Sequence, residues 1–161
     1  MLTTMRGNMW DYHPYNWCVV TTNIGWNKNG NNIMGAGVAR TAGIYHPFLA
    51  EWYGKECMAH KEDIGAIPYI NANLIMFPTK SLNPQAPHLS WQQNSTLDRI
   101  ERSLKSLVEN IDTFLTHLNS PIYMPPPGCG NGGLEIEDVY PLLDEYLSDS
   151  PAQFILIHKT K

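Results

Sequence analysis

Charge is in short supply in this sequence. Charged residues make up 16% of the chain, the net charge is −4 and the pI is about 5.8. A chain of that balance does not grip nucleic acid by its phosphates alone. Long apolar runs are missing too. No stretch approaches the length of a membrane span, and Met1–Gly7 has no signal-peptide core. Cysteine is sparse: Cys18, Cys57 and Cys129 are widely spaced, odd in number and form no CxxC pair. That excludes a disulfide framework and implies reduced thiols in a cytoplasmic protein. The histidines at 13, 46, 60, 88, 117 and 158 show no metal-ligand spacing, so neither metal nor cofactor is expected. No repeat, linker or low-complexity tract occurs, and one domain over 1–161 is the expectation. Two nucleotide fingerprints are also absent. There is no GxxxxGK[ST], and no GxGxxG followed by an acid at the right distance.

What the sequence has instead is glycine, asparagine and proline in specific places. Pro121–Met124 reads as a short strand. It runs into Pro125-Pro126-Pro127-Gly128-Cys129-Gly130-Asn131-Gly132-Gly133-Leu134. Residues 136–147 then read as a helix with acids in its first turn. Four glycines in six residues remove the Cβ atoms that would hold a ligand off the backbone. A glycine loop between a strand and a helix start presents unpaired N–H groups to an anion. Met34-Gly35-Ala36-Gly37-Val38-Ala39-Arg40 is a second turn of the same kind, opening a helix that ends near His46, before Pro47.

The remaining elements follow from periodicity. Residues 1–6, 17–22, 67–70, 73–77 and 154–158 read as strands, with a tight turn at Asn71-Ala72. Residues 48–60 read as a helix. Leu97, Ile100, Leu104, Leu107, Val108, Ile111, Phe114, Leu115 and Leu118 recur at steps of three and four, which predicts a long amphipathic helix capped by Ser95 or Asn94. Strands alternating with helices predict an α/β fold. It is a three-layer α/β/α sandwich around a mixed, largely parallel central sheet. In such sheets ligands sit outside the carboxyl ends of the strands. Asn8, Asn23, Gly35, Lys80 and Gly128–Gly133 all fall there, which predicts one shared pocket.

Within that pocket Lys80 is the basic side chain with chemical potential. It acts as a nucleophile if it loses its proton and holds an oxyanion if it does not. By residue type alone, a lysine ending a strand is a surface residue. Asn23 can bond sugar hydroxyls or merely form a turn. Cys129 sits near a helix start but has no base beside it, so it reads as a packing residue. Trp10, Trp26, Tyr45 and Trp91 can stack on a base or fill the core.

These segments together resemble one family, the macrodomains, which bind ADP-ribose. The likeness runs through Gly7-Asn8-Met9, Thr21-Thr22-Asn23-Ile24-Gly25, Met34–Ala39, Phe77-Pro78-Thr79-Lys80 and Pro126–Leu134. The last two segments look most like DarG-type macrodomains, which remove ADP-ribose from DNA, and like terminal ADP-ribose glycohydrolases. The resemblance implies an ADP-ribosyl glycohydrolase acting at C1'' of a DNA-linked or small-molecule substrate. An ADP-ribose 1''-phosphate phosphatase and a non-catalytic binding module stay open.

By the same resemblance Asn8 and Met9 meet the adenine, while Gly35, Ala36, Gly37 and Val38 hold the diphosphate from one side. Gly128, Cys129, Gly130, Asn131 and Gly132 hold it, and the distal ribose, from the other. Thr22 and Thr79 line the site, and Asn23 and Lys80 are catalytic at the distal ribose. The implied partner is ADP-ribose or an ADP-ribosylated substrate such as DNA, on a monomer with no membrane and no obligate protein partner. Three departures stand out. Asn8 replaces the usual Asp, Trp26–Ile33 is an insertion, and Gly130–Gly133 holds no acid.

Overall fold

A computed structural model describes residues 1–114 and 120–160 of the chain. Leu115, His117 and Leu118 lie outside the described residues, as does the Phe114 side chain. Six strands form one sheet in the order β1-β6-β5-β2-β4-β3. They are β1 (Leu2–Arg6), β2 (Trp17–Thr22), β3 (Ile67–Tyr69), β4 (Leu74–Pro78), β5 (Ile122–Met124) and β6 (Phe154–His158). All neighbouring pairs are parallel except β3 with β4. The fold is therefore the mixed, largely parallel α/β sandwich predicted.

The helices are α1 (Gly37–Tyr45), α2 (Leu49–His60), α3 (Leu97–Phe114) and α4 (Ile136–Leu147). Side chains alternate across β2, and this sorts the core into two layers. Val19 faces the α3/α4 side with Ile75, Phe77, Met124 and Leu156, where Ile100, Leu104, Leu107, Val139 and Leu143 cover them. Cys18 and Val20 face the other side with Leu74, Met76 and Ile157, under Ala42, Leu49, Tyr53 and Cys57. These central strands are buried on both faces, which is why they read as continuous apolar runs rather than alternating ones. No helix among the described residues is long and apolar enough to cross a membrane.

Two local expectations change. The α3 cap is Thr96, whose Oγ1 accepts from Arg99 N at 3.1 Å. Ser95 is pulled inward instead: its N–H donates to Gly132 O at 3.0 Å and its hydroxyl to Thr79 Oγ1 at 3.3 Å. Residues 81–89, rich in Pro, Asn and Ser, read from sequence as a loop, but a 3-10 turn, Pro87–Gln92, begins within them and is seated on Gly25.

Arg99 is the other feature the amphipathic pattern conceals. It is fully buried, and its guanidinium donates to the carbonyls of Glu62 (2.8 Å) and Ile64. The Glu62 carboxylate in turn accepts from Leu82 N at 2.9 Å and faces Arg102 at 3.4 Å. One buried cation thus ties α3, the 61–64 turn and the chain just beyond Lys80 together.

Candidate functional site

A cavity of about 1070 Å³ opens at the carboxyl ends of β2, β4, β5 and β6. Strand order explains its place: β5 and β2 are neighbours, so the segments leaving them, 125–132 and 23–39, diverge from one crevice. Thr22, Asn23, Gly35, Ala36, Gly37, Val38, Thr79, Lys80, Gly128, Cys129, Gly130, Asn131 and Gly132 all line it. Asn8 and Met9 lie outside the lining. Asn8 spends its Oδ1 on Trp10 N at 3.0 Å, capping the 3-10 turn Met9–Tyr12, and Met9 is buried in the α1/α2 layer. Gly7 N donates to His158 O at 2.8 Å, so this turn borders the cavity's β6 end without facing it.

The two glycine turns face each other. A Cβ placed on Gly37 would lie 3.6 Å from Asn131 Nδ2. Gly37 (φ +60°) and Gly130 (φ +78°) occupy the left-handed region, which explains glycine at both. Gly35 and Gly130 have nothing within 4 Å of an added Cβ, so their backbone is open to a ligand. Gly128 is left-handed too (φ +75°) but differs in its contacts: a Cβ there would meet Ile100 at 2.8 Å and Leu134 at 2.9 Å, so its glycine serves packing as well as backbone conformation. Helix α1 has no side-chain cap at its start. Its first-turn N–H groups and the positive end of its dipole are therefore free for an anion.

Electrostatics point the same way. Among the described residues the lining contains Lys80, His158 and Lys159 and no Asp or Glu, although the whole chain is net negative. Lys80 Nζ donates to the Trp91 carbonyl at 2.8 Å, and burial lowers its pKa below the ordinary lysine value of 10.5. Cys129 goes the other way. Burial first, then Glu135 and Glu137, raise its thiol pKa, so it is not a thiolate nucleophile.

Asn23 turns out to be an organiser. Its Nδ2 donates to Ile33 O at 2.9 Å, and its Oδ1 accepts from Gly25 N at 2.9 Å and Asn32 Nδ2 at 3.1 Å. The insertion Trp26–Ile33 is stitched down by this amide and by Asn32 N to Ala50 O at 2.9 Å. Thr22 and Thr79 are likewise committed. Thr22 Oγ1 pairs with Tyr53 OH at 2.8 Å, and Thr79 Oγ1 contacts Ser95 Oγ at 3.3 Å.

Residues Gln92–Ser95 and Ile157–Lys159 line the cavity without having been singled out for it from sequence, and Trp91, which the sequence left as a base stacker or a core residue, lines it beside them. For the second group the signal was the rule of strand carboxyl ends, usable only once β6 is known to lie next to β5. The first group carries no sequence signal. It is brought in because Gly25 lets the Pro87–Gln92 turn sit down on it. A Cβ at Gly25 would overlap the Pro87 carbonyl oxygen and stand 2.7 Å from Ser90 Cβ. Gly25→Ala is expected to cost about 1–3 kcal/mol from overpacking. It also shifts the Trp91 carbonyl that Lys80 uses. Urea denaturation checks the effect on stability.

No protein-family model matches the chain. Relatives do. The DNA ADP-ribosyl glycohydrolase of Thermus aquaticus is 31% identical over 148 residues, which is 91% of this chain. The chain spans only 38% of that relative's length. The macrodomain of Thermus aquaticus DarG superposes with a TM-score of 0.74 at 28% identity, covering 99% of both chains. Thermosipho africanus DarTG, solved in complex with ADP-ribose, gives the same TM-score at 22% identity over 99% of this chain and 41% of that one, which speaks for the fold alone. By sequence and by fold, the chain belongs to the macrodomain family, among the DarG-type macrodomains.

Proposed function

We propose that this cavity binds ADP-ribose and that the chain hydrolyses the bond at C1'' of ADP-ribosyl groups, with ADP-ribosylated DNA as its substrate. The observation that carries the reading is the pair of open glycine turns facing each other beside a partly buried lysine, in a lining whose described residues include no Asp or Glu. A diphosphate fits between such turns, each donating N–H bonds to one side. Gly35–Val38 and Gly130–Gly132 take that role. Asn23 acts by shaping the loop around the distal ribose, with one amide proton left for a hydroxyl. The printed name of the Thermus aquaticus relative supports the same reaction class.

In the reaction the C1'' bond to the leaving base breaks, water supplies the hydroxyl at C1'', and the base takes a proton. Among the described residues no Asp or Glu lines the cavity to act as general base, and Lys80 carries the chemistry. As a neutral amine it attacks C1'' while the base departs, and water then breaks the N–C1'' bond, freeing the amine and leaving the hydroxyl; as an ammonium it stabilises negative charge developing on the leaving base.

The test is ADP-ribose release from an ADP-ribosylated single-stranded oligonucleotide. Turnover is the expected result. Tight ADP-ribose binding without release, or phosphate release from ADP-ribose 1''-phosphate alone, would overturn it. The pH profile separates the lysine's two roles. A group with lowered pKa gains its neutral form earlier as pH rises. The rate is expected to climb with pH and level off before 10.5, the ordinary lysine value. A rate that falls over that range instead would assign Lys80 the charged role.

A further inference from the structure

The Pro87–Gln92 turn leaves its aromatic residue in an unusual position. Its scaffold is fixed: Ser90 is fully buried, its Oγ accepts from Asn83 N at 2.9 Å, its carbonyl accepts from Gln93 N at 3.1 Å, and Gly25 seats the turn. Yet Trp91, one residue along, remains 47% exposed at the rim of the cavity. A tryptophan left half in water on an anchored backbone contributes little to the core. It is ready to cover a flat partner.

Its neighbours narrow the partner. Gln92, Gln93 and Asn94 line the same cavity, and each amide offers both donors and an acceptor. From Trp91 to Ser95 no side chain is charged. The segment adjoins Lys80 directly, through the 2.8 Å bond from Nζ to the Trp91 carbonyl. A neutral set of one indole and three amides suits a planar, uncharged group with hydrogen-bonding edges. A phosphate or a carboxylate has no use for an indole face.

We propose that Trp91 is the stacking platform for the nucleobase joined to C1'', with Gln92, Gln93 and Asn94 at the base edge. The proposal rests on the hydrolase reading for the position of C1'' beside Lys80. It assigns this chain a base-linked substrate over a protein-linked or phosphate-linked one. Such a base must be unstacked from its strand, so single-stranded DNA is the matching form.

Binding measurements test this in a Lys80→Ala background, where the modified strand stays uncleaved. Adding Trp91→Ala is expected to weaken binding of an ADP-ribosylated single-stranded oligonucleotide about tenfold, the scale of one lost base–aromatic stack. Trp91→Phe should restore most of it. Free ADP-ribose should bind all three proteins within about twofold, which also reports that they fold. An equal loss for free ADP-ribose would overturn the proposal, since Trp91 would then support the cavity as a whole. No loss for the oligonucleotide would overturn it too. Turnover is read separately on the wild type. Absence of release with the Trp91 effect intact removes the hydrolase reading and keeps the platform; release with a silent Trp91 does the reverse.

Discussion

Lys80→Ala protein is expected to release no measurable ADP-ribose from ADP-ribosylated DNA while binding free ADP-ribose within a few-fold of wild type. The reasoning starts from the lining. Among the described residues Lys80 and Lys159 are its lysines, Lys159 sits at the β6 end, and no Asp or Glu is there to activate water. Removing Lys80 therefore removes the group able to attack C1'' or to hold charge as the bond breaks. Loss of one transition-state stabiliser of this kind costs about 10²–10³-fold in rate. Loss of a covalent nucleophile takes the rate to background. Affinity for the product changes little, because in the proposed binding mode the diphosphate is held by backbone groups of the two glycine turns. Lys80→Arg separates the roles. Arginine keeps the charge but does not deprotonate in proteins, so it rescues an oxyanion holder in part and a nucleophile not at all. Single-turnover release and calorimetry provide the two readouts. Full activity in Lys80→Ala would remove the mechanism.

Arg99→Ala is expected to destabilise the fold by about 3–5 kcal/mol, from carbonyls left without their donor and the void left behind. The guanidinium is fully buried and serves the Glu62 and Ile64 carbonyls, with Glu62 Oε1 at 3.9 Å. Alanine strands those carbonyls and leaves a void. Arg99→Met fills most of the void but still strands them, so it should recover only part of the loss. For a chain of this size the alanine change corresponds to a fall in Tm of about 10 °C. The effect reaches the site, because Glu62 also fixes Leu82 N, two residues past Lys80. Thermal denaturation followed by circular dichroism measures it. A change below about 1 kcal/mol would mean that water replaces the guanidinium at the carbonyls.

These two residues mark the range of what can be read from sequence. Lys80 was legible because it follows an apolar run that can only be a buried strand, and strand carboxyl ends converge. The glycine turns were legible for a similar local reason: Gly37 and Gly130 need a left-handed backbone, and that need is written in residue type. Arg99 was not legible. At its place in the 3.6-residue repeat it looks like a solvated charge, and only the 61–64 turn packing over it makes it a buried clamp.

The roles of Asn23, Gly128 and Trp91 divide the same way. Asn23 stood equally for a turn former and a sugar ligand until Ile33, Gly25 and Asn32 were seen to occupy its amide. Gly128 looked like part of an anion cradle, and its packing against Ile100 and Leu134 depends on where α3 lies. The sequence by itself determined the elements, the sandwich they form and the end of the sheet where ligands gather, because periodicity and backbone preference are local properties. Only the tertiary structure decided which polar groups remain free in the cavity and that Trp91 stands at its rim. Hydrogen bonds between residues far apart in the chain consume some candidates and expose others, and no local pattern records that outcome.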